Sequence, residues 1–362
     1  MTVFWLICTV VILVLVQVVY YSRCGLKNIR YDRYFSRERI FSGDSVELVE
    51  ELVNDKLVPV PWARVESRVS PYLRFGSQKD LDVSMDRFHK SVFFLGSYKK
   101  ITRRHQVTAT HRGYYDCTLS SLTVGDLFGM VSKTKDMAVN ARLFVYPELT
   151  PPDALPSEAL EWQGDVSVRR WIDPDPILVC GIREYLPGDG LRDVHWGATA
   201  RTGQLQVKVR DYTVSPKLLV LLNSQIRESL WAAMEPNEKE VIESGISVAA
   251  SLAAWGSGQG MDIGFRTNGG NKLAPAEREL TVSVEPAPGN LDAVLEALAL
   301  MEIKMQSGFT RLLDAEIDRG TANMDILCVS AYWSDEIERR AQTLRAMGNT
   351  VVHIPIRGGD AQ

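Results

Sequence analysis

The sequence predicts an α+β multidomain protein with an N-terminal transmembrane helix, a β-sandwich-like domain and an α/β doubly wound domain. Residues 3–21 contain no charged side chain. Residues 31–146 break into short strand-like runs, and from Lys217 onward strand-like runs alternate with helical ones. The predicted boundaries are 1–22 for the anchor, 23–146 for the β-rich domain, 147–216 for a proline-rich connector with a charged signature, and 217–362 for the α/β domain.

The apolar N-terminal segment is long enough to cross a membrane. A helix over Val3–Tyr21 measures about 28 Å, close to the hydrocarbon thickness of a bilayer. Basic residues follow this segment, whereas a cleavable signal peptide carries them before it. They are Arg23, Lys27, Arg30, Arg33 and Arg37. By the positive-inside rule, the sequence predicts a single-pass protein of the cell membrane with the bulk of the chain in the cytoplasm.

The composition argues against several classes of function. The net charge of −4 gives no basic excess, so nucleic-acid binding is not expected. The five cysteines are scattered and form no C-x-x-C pair. We therefore expect free thiols in a reducing compartment, without a disulfide or zinc framework.

Four runs in the first third of the chain have the residue pattern of strands. They are Ser45–Leu52, Trp62–Val69, Ser91–Tyr98 and Thr102–Ala109. Glycine, proline and Asn-Asp turn signals separate these runs, and no convincing helical period intervenes. Short strands at this spacing predict a β-sandwich or a small barrel.

The segment between the two domains is rich in proline at its start and in charge at its end. The prolines of residues 147–180 disfavour both helix and interior strand. The Pro-Gly-Asp sequence at 187–189 predicts a tight turn, and Asp189 is expected to cap a short helix over 196–200. Gly203 is expected to end that helix, and an alternating strand follows.

This charged segment also resembles a family signature. The pattern R-x-Y-x-P-G-D, followed by D-x-x-W and A-R, resembles the signature of the domain-of-unknown-function 58 family of bacterial membrane-anchored proteins. The matching positions are Arg183, Tyr185, Pro187, Gly188, Asp189, Asp193, Trp196, Ala200 and Arg201. A second signature of the family is similar to this chain at Arg112, Gly113, Tyr115, Asp126, Phe128 and Gly129, with Leu127 where the family usually has proline.

The central signature is interpreted first as a structural latch between the β domain and the α/β domain. Arg183 and Arg201 are the expected cations of this latch. Asp189 and Asp193 are the expected anions, and Trp196 is expected to fill the seam. A surface for a docking partner or a ligand is the alternative interpretation.

Strands and helices alternate in the C-terminal region. The predicted strands are Leu218–Leu222, Met261–Phe265, Leu280–Val284, Ile326–Val329 and Val351–Ile356. The predicted helices are Glu238–Trp255, Asn290–Met305 and Ser334–Met347. This order predicts a doubly wound sheet with right-handed crossovers. It resembles the von Willebrand factor A-like domain that members of the family carry at this place.

The end of the first strand of this region lacks the ligands of a metal site. In metal-binding A-like domains this strand ends in D-x-S-x-S, whose oxygens bind magnesium. Here Asn223, Ser224 and Gln225 follow the strand, and Arg227 stands at the second serine position. We therefore expect a degenerate site with no metal and no cofactor. A retained magnesium site that depends on Ser224 is the weaker alternative.

No catalytic constellation stands out in the sequence. Asp193 and His195 lie two residues apart, and on a helix they would point to different faces. The other histidines are dispersed along the chain, and a structural or exposed role is expected for each. They are His89, His105, His111 and His353.

The leading hypothesis is therefore a non-enzymatic, membrane-anchored scaffold or adaptor that presents a metal-free A-like domain to a protein partner. The family resemblance implies a MoxR-type AAA+ ATPase as that partner, with a transglutaminase-like membrane protein as a second one and a role in envelope maintenance. The alternative hypothesis is an uncharacterised enzyme or ligand-binding protein that uses the charged signature at 183–211.

Overall fold

The computed structural model describes residues 2–76, 81–82, 88–172, 179–187, 189–210, 216–228, 235–273 and 282–356. The chain divides into two compact units, Met1–Glu148 and Leu149–Gln362. The first contains a long apolar helix and several β-sheets, and the second contains a sheet flanked by helices. The mixed α+β architecture agrees with the sequence prediction.

Helix α1, Thr2–Cys24, covers the predicted apolar segment. Its 23 residues are long and apolar enough to cross a membrane, and its orientation stays a prediction. Near the end of the helix, the Tyr21 hydroxyl donates a hydrogen bond to the Pro59 carbonyl over 2.7 Å. The Lys56 ammonium donates to the Cys24 carbonyl over 3.1 Å. These bonds attach the end of α1 to the strands that follow it.

The rest of the first unit is built from short strands. They are β1 (Ile29–Phe35), β2 (Arg39–Phe41), β3 (Ser45–Asn54), β4 (Val60–Arg68), β5 (Leu73–Phe75), β6 (Leu81–Asp82), β7 (Phe88–Leu95), β8 (Lys100–Ala109), β9 (Gly113–Asp116), β10 (Leu119–Gly125), β11 (Ser132–Ala138) and β12 (Arg142–Tyr146). The four strands predicted in this region correspond to β3, β4, β7 and β8. The β7 strand ends earlier than predicted, at Leu95.

Two antiparallel sheets form the body of this unit. Their strand orders are β1-β3-β8-β5 and β11-β10-β4-β7-β6, and β2, β12 and β9 form a third, smaller sheet. Alternate side chains of each strand point inward, which places apolar residues of both large sheets in one core. They include Leu48, Leu52, Val65, Leu95, Val107 and Leu122. The region is therefore sandwich-like, as predicted.

The second unit contains helices, a short hairpin and an α/β sheet. Its elements are α2 (Ser157–Ile172), β13 (Val179–Glu184), α3 (Trp196–Thr202), β14 (Gln206–Arg210), β15 (Lys217–Leu222), α4 (Pro236–Gly258), β16 (Asp262–Thr267), β17 (Gly269–Asn271), β18 (Ser283–Ala287), α5 (Leu291–Leu300), β19 (Met301–Met305), α6 (Phe309–Asp318), β20 (Asp325–Ser330), α7 (Asp335–Ala346) and β21 (Thr350–Pro355). The sheet order is β18-β16-β15-β20-β21.

Helices cover both faces of this sheet. On one face, a Cβ at Gly256 of α4 would lie 2.6 Å from Leu218 of β15, so glycine is needed for the close approach of helix and strand. On the other face, Leu219 and Leu221 pack with buried side chains of α6 and α7. The β15, β16, β20 and β21 strands are parallel, whereas β18 is antiparallel to β16. The sheet is doubly wound as predicted, with one antiparallel edge strand.

The prediction that proline disfavours a helix in residues 147–180 is wrong for Ser157–Ile172, where α2 forms. No proline occurs between Pro156 and Pro174, so this stretch is free to be helical. The buried Trp162 of α2 donates its indole N–H to the Asp325 carboxylate over 3.1 Å. Its ring lies 5.1 Å from the ring of Trp255. The α2 helix is therefore part of the core of the second unit.

The segment that contains α5 and β19 also differs from the prediction. The helix predicted over Asn290–Met305 ends at Leu300, because Met301 takes an extended conformation and begins β19. The β19 strand pairs with β17. The α6 helix was not predicted, although its side chains Phe309, Leu312 and Leu313 are buried in the core. Its short amphipathic pattern falls between two longer predicted elements.

Candidate functional site

The central signature includes the antiparallel strands β13 and β14 and the long segment with α3 that connects them, and we call this region the hairpin. An ion pair joins the end of β13 to the start of the connecting segment. The guanidinium of Arg183 donates two hydrogen bonds to the Asp189 carboxylate, each over 2.7 Å. The Leu186 backbone N–H donates to the same carboxylate over 2.8 Å. The hydrogen bonds from Arg183 and then Leu186 lower the pKa of Asp189 to about 2, so this carboxyl group is ionised at neutral pH. The predicted pairing of Arg183 with Asp189 is present.

The predicted capping role of Asp189 is wrong. A short 3-10 helix, Leu191–Asp193, separates Asp189 from α3. His195 caps α3 instead, because its Nδ1 accepts the Ala198 backbone N–H over 3.0 Å. The α3 helix ends at Gly203 as predicted, and the positive φ of 73° there favours glycine.

Trp196 was expected to fill the seam between the two domains, and this stays a prediction. Its side chain is 66% exposed, so it is not part of the core of its own unit. Four further large apolar side chains of the same hairpin region are exposed. We call the five together the hairpin patch: Ile182, Leu186, Leu191, Trp196 and Leu205. These residues lie close together in the sequence, within residues 182–205.

The remaining signature residues contribute little to a common site. Arg201 and Ala200 are exposed on α3, and Tyr185 is half-buried. Pro187 lies exposed in the turn, whereas Gly188 lies outside the described residues. The second predicted pair, Arg201 with Asp193, is not among the ion pairs of the part of the chain that the structure describes. The Arg183–Asp189 pair lies within the second unit, and a latch between the two domains stays a prediction.

The degenerate metal-site positions form a buried amide network at the carboxyl edge of the sheet. The Asn223 side chain donates to the Ser330 hydroxyl over 2.8 Å. Its oxygen accepts the backbone N–H of Gln225 over 2.9 Å and the amide of Asn268 over 3.2 Å. The Ser224 backbone N–H donates to the Asn268 oxygen over 2.7 Å. N–H groups therefore already bond the side-chain oxygens of Asn223 and Asn268, which a magnesium ion would need as ligands.

Further hydrogen bonds connect this network to neighbouring residues. The Gln225 side chain donates to the Arg227 carbonyl over 3.0 Å and accepts the Phe309 backbone N–H over 3.4 Å. The Arg227 guanidinium donates a hydrogen bond to the Glu238 carboxylate at the start of α4 over 2.7 Å. Ser224 is buried, and its hydroxyl has no hydrogen-bond partner among the described residues. The edge of the sheet is thus packed with polar groups that bond one another.

A third polar cluster lies in the core of the β domain, and the sequence analysis did not find it. His89 on β7 and His105 on β8 are far apart in the sequence, but their ring centroids lie 4.8 Å apart. The His105 Nε2 lies 3.1 Å from one oxygen of Glu50, and the His89 Nδ1 lies 3.8 Å from the other. Arg33 and Glu50 are fully buried. The inward positions of Arg33 and Glu50 in alternating strands are the sequence signal that could have indicated this cluster.

The spacing of Glu50, His89 and His105 fits a metal site, since their ligand atoms lie within 4.8 Å of one another. The other contacts of Glu50 do not fit one. Tyr31 donates to one carboxylate oxygen over 2.8 Å and Ser91 to the other over 2.7 Å. The Arg33 Nε lies 3.7 Å from Glu50, so a divalent cation would have to sit beside a guanidinium. The arrangement fits a buried ion pair with hydrogen-bonding neighbours.

We expect Glu50 to make stability depend on acidic pH. Burial raises its pKa, but the hydrogen bond from His105 and the charge of Arg33 outweigh burial and lower the pKa to about 2. Because the folded pKa lies below the unfolded value, the stabilisation is present above about pH 4.3 and is lost as the pH falls toward the folded pKa. Unfolding midpoints of the wild type and Glu50→Gln should therefore converge as the pH is lowered through this window. A constant difference between the two proteins would contradict this assignment.

Known proteins are similar to parts of this chain. Residues 181–282 match the family model described as "Protein of unknown function DUF58", so the predicted resemblance to that family is confirmed there. "Uncharacterized protein YeaD" of Bacillus subtilis (strain 168) is 23% identical over 180 residues, which are 49% of this chain. The match spans 43% of that protein.

Solved structures resemble only a smaller part of the chain. A CARDB domain from Pyrococcus furiosus, solved in complex with di-metal ions, is 15% identical, with 31% of this chain and 91% of that chain covered and a TM-score of 0.20. A non-cellulosomal cohesin from Archaeoglobus fulgidus is 12% identical, with 32% and 91% covered and a TM-score of 0.23. These scores are too low to carry an argument about fold or function.

Proposed function

Because residues 181–282 belong to the DUF58 family, we propose that this chain is a non-enzymatic, membrane-anchored scaffold that binds a protein partner through its second unit. The hairpin patch is the observation that carries the proposal. It exposes a tryptophan and four large aliphatic side chains on a hairpin whose turn is fixed by the pair of Arg183 with Asp189. Exposed aromatic anchors on a pre-organised segment are typical of protein-binding hot spots.

The second unit has the role of a metal-free A-like domain in this proposal. Its doubly wound sheet supports the comparison with von Willebrand factor A-like domains. The amide network of Asn223 and Asn268 at the carboxyl edge of the sheet supports a binding mode without a metal ion. Partner binding then depends on side chains of the hairpin and not on a bridging cation.

The partner that we propose is a MoxR-type AAA+ ATPase, with a transglutaminase-like membrane protein as a second partner and envelope maintenance as the process. The family resemblance supports this choice. The apolar length of α1 supports attachment to the cell membrane, and the basic residues after it support a cytoplasmic position of the two units. An ATPase of the cytosol would then have access to the hairpin patch.

Arg183→Ala is expected to weaken capture of the ATPase, because the turn loses its bidentate anchor. Arg192→Ala is the matched control, since Arg192 is exposed in the same turn region and takes no part in the Arg183–Asp189 pair. Capture is measured by co-purification of the full chain from its native host. Equal capture by the two variants would show that the latch does not organise the binding surface.

The alternative function is an enzyme or ligand-binding protein that uses the charged signature. The partial exposure of Arg183, at 45% of its side chain, favours this alternative because an anion could reach the guanidinium. Asp189→Ala separates the two functions. A latch predicts a lower unfolding temperature for the variant, whereas a catalytic site predicts a folded protein of unchanged stability that lacks activity.

A further inference from the structure

The loop between β10 and β11, residues 126–131, presents large apolar side chains to its surroundings. Leu127 is 62% exposed, Phe128 is 60% exposed and Met130 is 67% exposed. Three such residues in a loop of six form a concentrated apolar tip. The same loop contains Asp126, Phe128 and Gly129 of the second family signature, to which the scaffold function assigns no role. An apolar tip of this kind requires a specific partner or an apolar solvent.

Polar groups of Asp126, Gly129 and Val131 in this loop are bonded within the protein. The Asp126 carboxylate accepts the Val131 backbone N–H over 2.9 Å. The Asp126 backbone N–H donates to the Val131 carbonyl over 3.1 Å, and the Gly129 N–H donates to the Asp126 carbonyl over 3.3 Å. The Trp62 indole also donates to the Asp126 carbonyl, over 3.1 Å. The bonding of these polar groups lowers the cost of bringing the loop, with its outward apolar side chains, to an apolar phase.

The loop lies against the helix that is long enough to cross a membrane. The Gln17 side chain of α1 donates to the Asp126 carboxylate over 3.0 Å. Gln17 precedes Tyr21 by four residues, so it lies about 6 Å farther into the apolar segment. Tyr21 contacts Pro59 at the base of the β domain. If α1 crosses a membrane, the apolar tip therefore begins at a level where α1 itself would be surrounded by lipid.

Basic side chains lie on the two elements that adjoin the tip, β11 and α1. Lys133 and Lys135 are exposed on β11, the strand that leaves the loop. Arg23 lies in the last turn of α1. Basic groups beside an apolar tip favour the anionic headgroups of a cytoplasmic leaflet.

We propose that Leu127, Phe128 and Met130 insert into the boundary between headgroups and acyl chains, beside α1, and form a second membrane contact of the β domain. The proposal rests on the membrane attachment of α1 that the proposed function includes. Its partner is the lipid bilayer, because the tip is continuous with a helix of membrane-spanning length. One helix alone would leave the β domain free to rotate and tilt about the membrane normal, and this second contact would fix it.

The test compares two exposed leucines on the same pair of strands. Leu127→Cys places a single thiol on the tip, and Leu119→Cys places one at the opposite end of β10, about 20 Å away. Cys8, Cys24 and Cys180 are replaced by serine. Cys117 and Cys328 are buried, and burial raises the pKa of both thiols, which keeps them unreactive. Each full-length variant receives an environment-sensitive NBD fluorophore and is reconstituted into vesicles of phosphatidylcholine and phosphatidylglycerol.

We expect the label at position 127 to shift its emission to the blue and to be quenched several-fold more by nitroxide lipids than the label at 119. A third label, at Val11→Cys in the middle of α1, reports on the anchor itself. Quenching at 11 without quenching at 127 overturns the insertion of the loop and leaves the anchor intact. Absence of quenching at 11 overturns the anchor and the loop proposal together. Equal quenching at 119 and 127 also overturns the proposal, because it shows that the tip has no special contact with lipid.

Discussion

Trp196→Glu is expected to abolish co-purification of the AAA+ ATPase and to leave the protein folded. The side chain is exposed, so its replacement removes no core packing. A tryptophan at the centre of a protein interface contributes about 2–4 kcal/mol when it is a hot spot, and its replacement weakens binding by roughly 30-fold to 1,000-fold. A carboxylate at this position adds the cost of burying a charge. Co-purification from the native host measures the loss, and circular dichroism checks the fold.

Two leucines of the second unit provide a matched comparison for this result. Leu191→Glu changes a residue of the hairpin patch, whereas Leu273→Glu changes an exposed leucine on the loop after β17. We expect loss of capture for Leu191→Glu and wild-type capture for Leu273→Glu. If Trp196→Glu and Leu191→Glu both retained wild-type capture, the hairpin patch would not be the binding surface.

Arg33→Met is expected to destabilise the β domain by about 3–5 kcal/mol, because it leaves the buried Glu50 carboxylate without its cation. The guanidinium also bonds the Ser67 hydroxyl across the two sheets, and the variant loses this contact. The uncharged partners of Glu50 would remain, including Tyr31, whose pKa is raised by burial and by the nearby carboxylate. Urea unfolding of the full chain in detergent measures the change.

Arg30→Met is the control, since Arg30 lies on the same strand and pairs with Asp55 at the exposed surface. Exposed pairs contribute little, so its unfolding midpoint should stay near that of the wild type. The double variant Arg33→Met/Glu50→Gln should recover part of the lost stability, because it removes the unpaired charge. A zinc-dependent rise in wild-type stability that chelation reverses would instead identify the cluster as a metal site.

The sequence predicts those elements whose periodicity is uninterrupted. Ser45–Leu52 alternates between inward and outward positions and is found within β3. Leu218–Leu222 is apolar throughout, as a strand covered on both faces must be, and it is found within β15. The bidentate pair of Arg183 with Asp189 was also predictable, because a tight turn brings these two residues together.

Other features depend on contacts that no local pattern contains. Glu50, His89 and His105 come from three strands, and only the pairing of β3 with β8 and the packing of two sheets bring them together. The exposure of Trp196 could not be inferred either, because a lone tryptophan in a sequence is equally compatible with a core. Asp189 resembles a helix cap in sequence, but the 3-10 turn after it gives that role to His195.

Site-specific photo-crosslinking in the native host tests the scaffold function most directly. A photoreactive amino acid is placed at position 191 in the hairpin patch and, as a control, at position 273 in the same unit. If the scaffold function is correct, mass spectrometry identifies a covalent adduct with an AAA+ ATPase from position 191 and none from position 273. A folded, abundant protein that forms no ATPase adduct from position 191 would contradict it.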